Sequence, residues 1–285
     1  MADQIKSASG SKPAQGTGGS IPLAVLSELR LPPPEEVKEN LAYRYYFTDE
    51  FGFRRAAIRH IRRRRIETVL ELLRDVTARD VLDVGCGPGE SAIYLQHHFS
   101  KRARVVAIDI GWEFVSFGEH LASANDAPTR FLQAEACTLP FPASSFDVVT
   151  SLEMVEHLPN WPEFLQEAHR VLRPGGHLVL STPTRAGFHS WLKRAWVRMR
   201  GLDRVFARYK TPGDPYERFI GRREMARALQ ARGFERVAET VRIFLFSFVP
   251  DQLFVLNRLV EPVLERTPGV RQLGVTAFYH YRKRL

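Results

Sequence analysis

The chain has few of the features that mark disulfide-stabilised or membrane-spanning proteins. It contains only 2 cysteines in 285 residues, and Cys86 and Cys137 match no zinc-site spacing. The longest apolar candidate, Ile243 to Val249, is far too short to cross a membrane. Residues 1–20 are rich in Gly, Ser, Ala and Gln and have no apolar run, which predicts a disordered tail rather than a secretory signal. These absences favour a reducing, cytoplasmic setting.

Length and composition limit the domain organisation. With 285 residues, 44% of them hydrophobic, the chain is long enough for one large domain with elaborations, or a domain with a small cap. We expect an N-terminal helical cap segment over 21–75, after the tail, and a main domain over 76–285. The main domain is predicted to carry two inserts, at 185–220 and 247–272.

The most informative segment is VLDVGCGPGES, from Val81 to Ser91. A short apolar strand leads to Asp83, glycines follow at 85, 87 and 89, and a helix is predicted from Ser91 to Phe99. Only glycine lets a ligand lie directly against the backbone at such a bend. The segment therefore predicts a strand, a cradle for a nucleotide-sized ligand and a helix N-terminus in succession.

The spacing of the glycines limits the classes of ligand that this loop can bind. A dinucleotide fingerprint needs a third glycine at position 90, where Glu90 would repel a pyrophosphate at the helix N-terminus. No Gly-Lys-Ser or Gly-Lys-Thr follows the glycines, which excludes a P-loop. The remaining candidate is a ligand with a nucleoside part whose other charged groups are not phosphates.

These residues resemble motif I of the class I S-adenosylmethionine-dependent methyltransferases. The resemblance covers Val81 to Thr182 and implies that S-adenosyl-L-methionine is the cofactor. It assigns the following loop residues to cofactor binding: Asp83, Gly85, Cys86, Gly87, Pro88 and Gly89.

Two later acids fall where this resemblance requires them. Asp109 ends a second apolar strand about twenty residues after the loop, where a carboxylate can accept hydrogen bonds from a ribose diol. Glu135 opens a turn that is similar to the family's acid-Ala-x-x-Leu-Pro-Phe turn, so the resemblance assigns Glu135 and Ala136 to adenine. We add Ile110, beside Asp109, and Leu152, after the fourth strand, to the predicted cofactor contacts.

The order of elements predicts the fold. Strands at Phe146 to Ser151 and His177 to Ser181 flank a helical segment from Asn160 to Gly176, which Arg-Pro-Gly-Gly is expected to end. Strands that alternate with helices favour a parallel sheet covered on both faces. The predicted class is α/β: a Rossmann-like, doubly wound, mostly parallel seven-stranded sheet with helices on both faces, an N-terminal helical cap and an insert after the fifth strand.

The residues after the fourth strand carry the predicted chemistry. His157 is the candidate general base because imidazole accepts a proton near neutral pH, and Glu153 is the candidate group that orients it. A second interpretation is that Glu153, Glu156 and His157 share one helical face and hold a divalent metal. The run Glu-x-x-Glu-His is similar to one in ubiquinone-biosynthesis O-methyltransferases and small-RNA 2′-O-methyltransferases. Those families supply a further downstream histidine, where this chain offers Asp214.

The net charge of +9 is concentrated in two segments. Residues 54–65 contain seven arginines and no acid. They lie on a predicted helix, and we expect most of these arginines to face solvent. The family resemblance makes Arg65 or a neighbour a candidate partner for the cofactor's carboxylate. Residues 188–210 contain seven basic residues and one acid. In this second segment apolar residues recur at helical spacing between the cations, which fits either a membrane-interface helix or an insert packed on the domain.

Three functions remain open from the sequence. The preferred function is methyl transfer to a small, lipophilic acceptor, most favourably at a hydroxyl oxygen. The apolar segments 188–199 and 244–264 suggest a lipophilic substrate, and Ser190-Trp191-Leu192 resembles the ubiquinone-pathway enzymes. An RNA methyltransferase would use the basic segments on phosphates. A non-catalytic partner subunit would keep the fold alone. The sequence favours a lipid-like acceptor and a membrane surface as partners over nucleic acid. The expected location is the cytoplasm, with possible attachment at the membrane periphery. The sequence does not predict an oligomeric state.

Overall fold

The computed structural model describes residues 29–47, 56–99, 102–184, 218–244 and 255–285. Their strands are β1 Asp80–Val84, β2 Arg104–Asp109, β3 Arg130–Gln133, β4 Phe146–Leu152, β5 Leu172–Pro183, β6 Phe234–Arg242 and β7 Thr276–Lys283. Their α-helices are α1 Pro34–Val37, α2 Leu41–Phe47, α3 Ala56–Leu72, α4 Glu90–Phe99, α5 Trp112–Ala124, α6 Trp161–Val171, α7 Arg222–Ala231 and α8 Val255–Arg266. The predicted tail and the cationic segment 188–210 lie outside the described residues.

The strands form one seven-stranded sheet in the order β3-β2-β1-β4-β5-β7-β6. Neighbouring strands from β3 to β5 pair in parallel, whereas β7 runs antiparallel to both β5 and β6. This arrangement confirms the predicted doubly wound, mostly parallel fold.

Both faces of the sheet are covered, as the buried strands predict. β1 is buried along its whole length, and because successive side chains point to opposite faces, Val81 and Leu82 enter different hydrophobic clusters. The cluster that contains Val81 is completed by α3, α4 and α5. The cluster that contains Leu82 is completed by α6 and α7.

The N-terminal helices pack on the domain. Val37 and Ala42 are buried in the first cluster, and the ring centroids of Tyr43 and Phe117 lie 5.9 Å apart. The Asn40 side chain donates to the Glu113 carbonyl at 3.0 Å, which ties the start of α2 to α5. A cap over 21–75 stays a prediction, because residues 1–28 and 48–55 are not described.

The helix predicted to run to Gly176 was wrong at its end. α6 stops at Val171, and β5 begins at Leu172 and passes through the Arg-Pro-Gly-Gly sequence. The register between β4 and β5 shifts between Phe146 and Val148, so these residues form an irregularity in a strand rather than a connecting loop. Pro174 and the two glycines after it are unfavourable in a helix, as the sequence predicts, but pairing with β4 makes them part of the strand β5.

The carboxyl ends of β1, β2, β4, β5 and β6 meet at one edge of the sheet. Because Pro183 and Arg242 both pair with Thr276, the connections that follow β5 and β6 leave from this edge. The second connection contains α8 and a 3₁₀ turn, Val270–Leu273, before β7 begins. In the described part of the chain, no helix is long and apolar enough to span a membrane.

Candidate active site at the carboxyl edge of the sheet

The glycine loop folds back over the end of β2. The amides of Gly85 and Cys86 both donate to the Ile108 carbonyl, at 2.8 and 2.9 Å, and the Gly89 amide donates to the Cys86 carbonyl at 3.0 Å. These bonds fix the loop between β1 and α4 before any ligand arrives. Cys86 and Pro88 are buried within it, and burial raises the pKa of the Cys86 thiol.

Gly87 provides an open stretch of backbone. Its φ is +51°, a conformation that favours glycine, and a Cβ built there would meet no atom within 4 Å. Its amide donates to Asp109 Oδ2 at 2.9 Å. The loop therefore presents bare backbone to open space beside a carboxylate; that this space is the cradle for a ligand stays a prediction.

Asp109 lies at the tip of β2, and both of its carboxylate oxygens accept hydrogen bonds from backbone amides. Oδ2 accepts from Gly87, and Oδ1 accepts from the Gly111 amide at 2.9 Å. Burial raises the pKa of Asp109, against the lowering effect of these backbone bonds. A carboxylate has about four acceptor positions in all, so acceptor capacity remains for a ribose hydroxyl.

Two large apolar side chains stand exposed beside Asp109. Ile110, which follows β2, is 71% exposed, and Trp112, the first residue of α5, is 57% exposed. Exposed side chains of this size beside an unfilled acceptor are suited to an apolar ring system. The sequence predicted Ile110 here, whereas Trp112 was missed.

Asp83 lies beneath the loop rather than on its open side. It is 1% exposed, and its two oxygens accept from the hydroxyls of Ser91 and Thr150. Burial raises the pKa of Asp83 to about 6, opposed by these two hydroxyls. The side chain therefore joins β1, β4 and α4, and its predicted direct contact with the cofactor stays a prediction.

The acid-Ala turn after β3 is held in place by α6. The Leu139 amide donates to Glu167 at 2.8 Å, and Arg170 donates to the carbonyls of Leu139 and Phe141 at 2.9 and 2.7 Å. Glu135 is exposed and Ala136 is half-buried at the start of this turn. Their predicted contact with adenine stays a prediction.

The chain bends sharply where β4 ends. Leu152 is half-buried, and Glu153 adopts a φ of +52°, which is uncommon for a residue with a side chain. Its Oε1 accepts from the Ser181 hydroxyl at 2.9 Å and its Oε2 accepts from Arg65 at 2.8 Å. Glu153 thereby joins β4, β5 and α3 at the mouth of the site.

The expectation that Glu153, Glu156 and His157 share a helical face was wrong. Only residues 155–157 form a turn of 3₁₀ helix, in which Glu156 is 2% exposed while His157 faces solvent. Pro159 disfavours a helical conformation at Leu158, which limits the turn. Within the described ranges, no group of three His, Cys, Asp or Glu residues could hold a metal ion.

The expected solvated face of α3 is wrong for Arg62, Arg64 and Arg65, which are partly buried and paired with acids, whereas Arg59 and Arg63 are exposed. Arg62 pairs with Glu90 at the N-terminus of α4, Arg63 with Glu67 on the same helix, and Arg65 with Glu153. Arg64 pairs with Glu67, Glu261 and Glu265. Arg63 and Arg64 pair with Glu67 at helical spacing, whereas the acids Glu90, Glu153, Glu261 and Glu265 come from elements that helical periodicity does not link to α3.

These features fit S-adenosylmethionine: open backbone at Gly87, spare acceptor capacity on Asp109, and exposed apolar side chains beside them. A family model described as "Methyltransferase domain" matches residues 82–180. The 27-O-demethylrifamycin SV methyltransferase of Amycolatopsis mediterranei is 32% identical over 213 residues, which cover 64% of this chain and 77% of that protein. The chain belongs to the class I S-adenosylmethionine-dependent methyltransferases.

Other members of the family have different acceptors in their names. The demethylmenaquinone methyltransferase of Listeria monocytogenes is 27% identical over 181 residues, 63% of this chain and 75% of that protein. The fatty-acid O-methyltransferase of Mycolicibacterium smegmatis is 38% identical, but over only 105 residues, 37% of either chain.

The fold by itself does not specify the reaction. The solved structure of the [4+2]-cyclase SpnF superimposes with a TM-score of 0.55 at 19% identity, covering 78% of this chain and 80% of that one. The same architecture is therefore found in a protein named for a cyclisation. What this methyltransferase acts on is therefore a separate question from its fold.

Proposed function

We propose that this methyltransferase transfers the methyl group of S-adenosylmethionine to a hydroxyl oxygen of a small, lipophilic acceptor. The observation that carries the proposal is its 32% identity, over 213 residues, to an enzyme named for a 27-O-demethyl substrate. The names of the other two relatives, a fatty-acid and a demethylmenaquinone methyltransferase, support a lipophilic acceptor.

In this proposal the cofactor lies between the glycine loop and the two acidic positions. Gly85 to Gly89 supply the backbone cradle, Asp109 accepts from the ribose, and Ile110 with Glu135 and Ala136 borders the adenine. Asp83 supports the loop from below through Ser91 and Thr150. When bound, S-adenosylmethionine supplies a methyl group on a sulfonium, a good leaving group for in-line displacement.

His157 acts as the general base that removes the acceptor's hydroxyl proton. It is exposed, on the turn that follows β4, so an incoming acceptor can reach its imidazole. Glu153 acts as a positioning residue, because its bonds to Arg65 and Ser181 fix the bend from which that turn starts. Alignment of acceptor and methyl group then supplies most of the rate.

The contacts of α3 disfavour the RNA alternative. An RNA methyltransferase would need arginines that are available to phosphates, yet Arg62, Arg64 and Arg65 are each paired with an acid and no more than about a quarter exposed. Releasing them for phosphate contacts would leave buried carboxylates without partners. The basic segment 188–210 lies outside the described residues.

A labelled-methyl transfer assay tests the proposal. Cell extract separated into lipid, RNA, protein and polar-metabolite fractions is incubated with labelled S-adenosylmethionine and the enzyme. We expect label in the lipid fraction. Label in RNA alone would support the RNA alternative, and cofactor binding with no transfer to any fraction would support a non-catalytic subunit.

Variants of His157 test the general base. We expect His157→Ala to lower turnover about 10²- to 10⁴-fold, the usual contribution of a positioned base, while calorimetry shows unchanged affinity for S-adenosylmethionine. His169→Ala is the matched control, because His169 lies on α6, packed against Phe234 away from the site. Equal turnover in wild type and His157→Ala would remove His157 from the mechanism.

A further inference from the structure

Helix α8 is turned the opposite way from an ordinary surface helix. Its two acids face the protein: Glu261 is 2% exposed and the Glu265 side chain is 6% exposed. Three of its apolar residues face outward, with Leu259 68%, Val263 63% and Val260 43% exposed. A surface helix normally packs its apolar side on the core and leaves charges in water, so this arrangement needs a cause.

The inward acids fix the orientation of the helix. Glu261 contacts His60 and accepts from the Phe244 amide at 3.1 Å. Glu265 accepts from Arg64 at 2.9 Å and from Arg242 at 3.0 Å. Rotating α8 to bury its apolar side would leave both carboxylates without these partners, so the apolar side is held outward.

The outward surface is apolar and cationic. Glu261 and Glu265 are the only acids in the sequence from 255 to 273, and both are turned inward. Arg266 at the end of α8 and Arg271 on the 3₁₀ turn are exposed. Leu273 on the same turn is 39% exposed. This surface therefore combines apolar side chains with positive charge and lacks negative charge.

The position of this surface relates it to the active site. The connection that contains α8 starts and ends at the carboxyl edge of the sheet, where the glycine loop lies. Arg64, which holds Glu265, is followed by Arg65, which holds Glu153 at the end of β4. A molecule that covers α8 therefore lies beside the entrance to the site.

We propose that α8 and the 3₁₀ turn after it form a docking surface for an anionic lipid bilayer. Leu259, Val260 and Val263 enter the apolar part of the interface, while Arg266 and Arg271 lie at the level of the headgroup phosphates. A role for this docking in delivering the acceptor to the site rests on the proposed function. The docking itself does not depend on the proposed function.

Charge favours a lipid surface over a second copy of the chain. A two-fold contact through α8 would join two copies of the same cationic patch, and neither copy has an outward acid in this segment to pair with Arg266 or Arg271. An anionic bilayer instead offers apolar chains to the leucine and valines and negative groups to the cations.

Vesicle sedimentation tests this inference on the full-length protein. Wild type is mixed with phosphatidylcholine vesicles, with or without phosphatidylglycerol. We expect binding to the anionic vesicles, weakened by salt, and little to the neutral ones. The double variant Leu259→Ser, Val263→Ser should lose at least ten-fold in partitioning. The control Val237→Ser, at a valine that is 51% exposed on β6, should partition like wild type.

Several outcomes would overturn the inference: no binding of wild type, equal partitioning of the double variant, or an unchanged double variant Arg266→Gln, Arg271→Gln. A dimer of wild type that the leucine and valine changes convert to monomer would assign the surface to a second copy instead. Melting temperatures close to wild type ensure that lost binding is not lost folding. Because vesicle binding is measured without cofactor or acceptor, failure of the proposed methyl transfer leaves this result standing, and the reverse also holds.

Discussion

Adding a methyl group at two glycines of the same loop should separate cofactor binding from folding. At Gly87 a Cβ points into open space, whereas at Gly89 it would lie 2.6 Å from the ring of buried Phe131. Both residues have positive φ, +51° and +87°, so both changes impose a backbone penalty of similar origin. Only the surroundings of the new atom differ.

The magnitudes follow from these surroundings. A left-handed conformation costs a residue with a Cβ about 1–2 kcal/mol, so Gly87→Ala should lower the melting temperature by only a few degrees. At Gly89 the overlap with Phe131 adds about 1–3 kcal/mol of overpacking, for a total of about 2–5 kcal/mol. The affinity for S-adenosylmethionine should fall at least ten-fold in Gly87→Ala, because the new methyl group occupies the space that the cofactor needs.

Differential scanning calorimetry and isothermal titration with S-adenosylmethionine measure the two effects on the same preparations. We expect Gly87→Ala to be nearly as stable as wild type but defective in binding, and Gly89→Ala to be the less stable variant. Wild-type affinity in a folded Gly87→Ala protein would refute the reasoning, since the cofactor would then not lie against this stretch of backbone.

Three further predictions follow from single contacts. Asp109→Asn should weaken S-adenosylmethionine binding about 10- to 100-fold by calorimetry, because an amide offers one acceptor oxygen where the carboxylate offers two; unchanged affinity would remove Asp109 as the ribose anchor. Arg64→Met should destabilise the fold by about 2–4 kcal/mol in urea unfolding, because buried Glu265 and Glu261 lose a partner. Arg63→Met should cost under about 1 kcal/mol, because Arg63 is more exposed and its ion-pair partner among the described residues is Glu67. Burial, with a smaller effect of His177, lowers the pKa of His280 to about 4, so on acidification the unfolded chain takes up the proton first. The contribution of His280 to the free energy of unfolding should therefore fall by about 2 kcal/mol between pH 7 and pH 5. Unfolding of His280→Gln, measured at the same pH values, should lack that part of the pH dependence.

The parts of the site that are continuous in sequence could be predicted, because their geometry is local. The glycine loop, Asp109 at the tip of β2 and the acid-Ala turn each follow a strand at a fixed spacing, and a parallel sheet brings such strand ends to one edge. Thr150 was missed although it faces Asp83 directly across β1 and β4. A threonine that breaks the apolar run of β4 was the available signal, but its meaning depended on the register between the strands.

The arginines of α3 show why charge counted along a segment does not predict a surface. Residues 54–65 contain no acid, so the sequence suggested a solvated or phosphate-binding face. The acids that pair with Arg62, Arg64 and Arg65 come instead from α4, α8 and the end of β4, and only the fold brings them together. One helix thus orients three separate elements around the cofactor edge. The same pairing that disfavours α3 as a nucleic-acid surface turns the acids of α8 inward and leaves Leu259, Val260 and Val263 exposed.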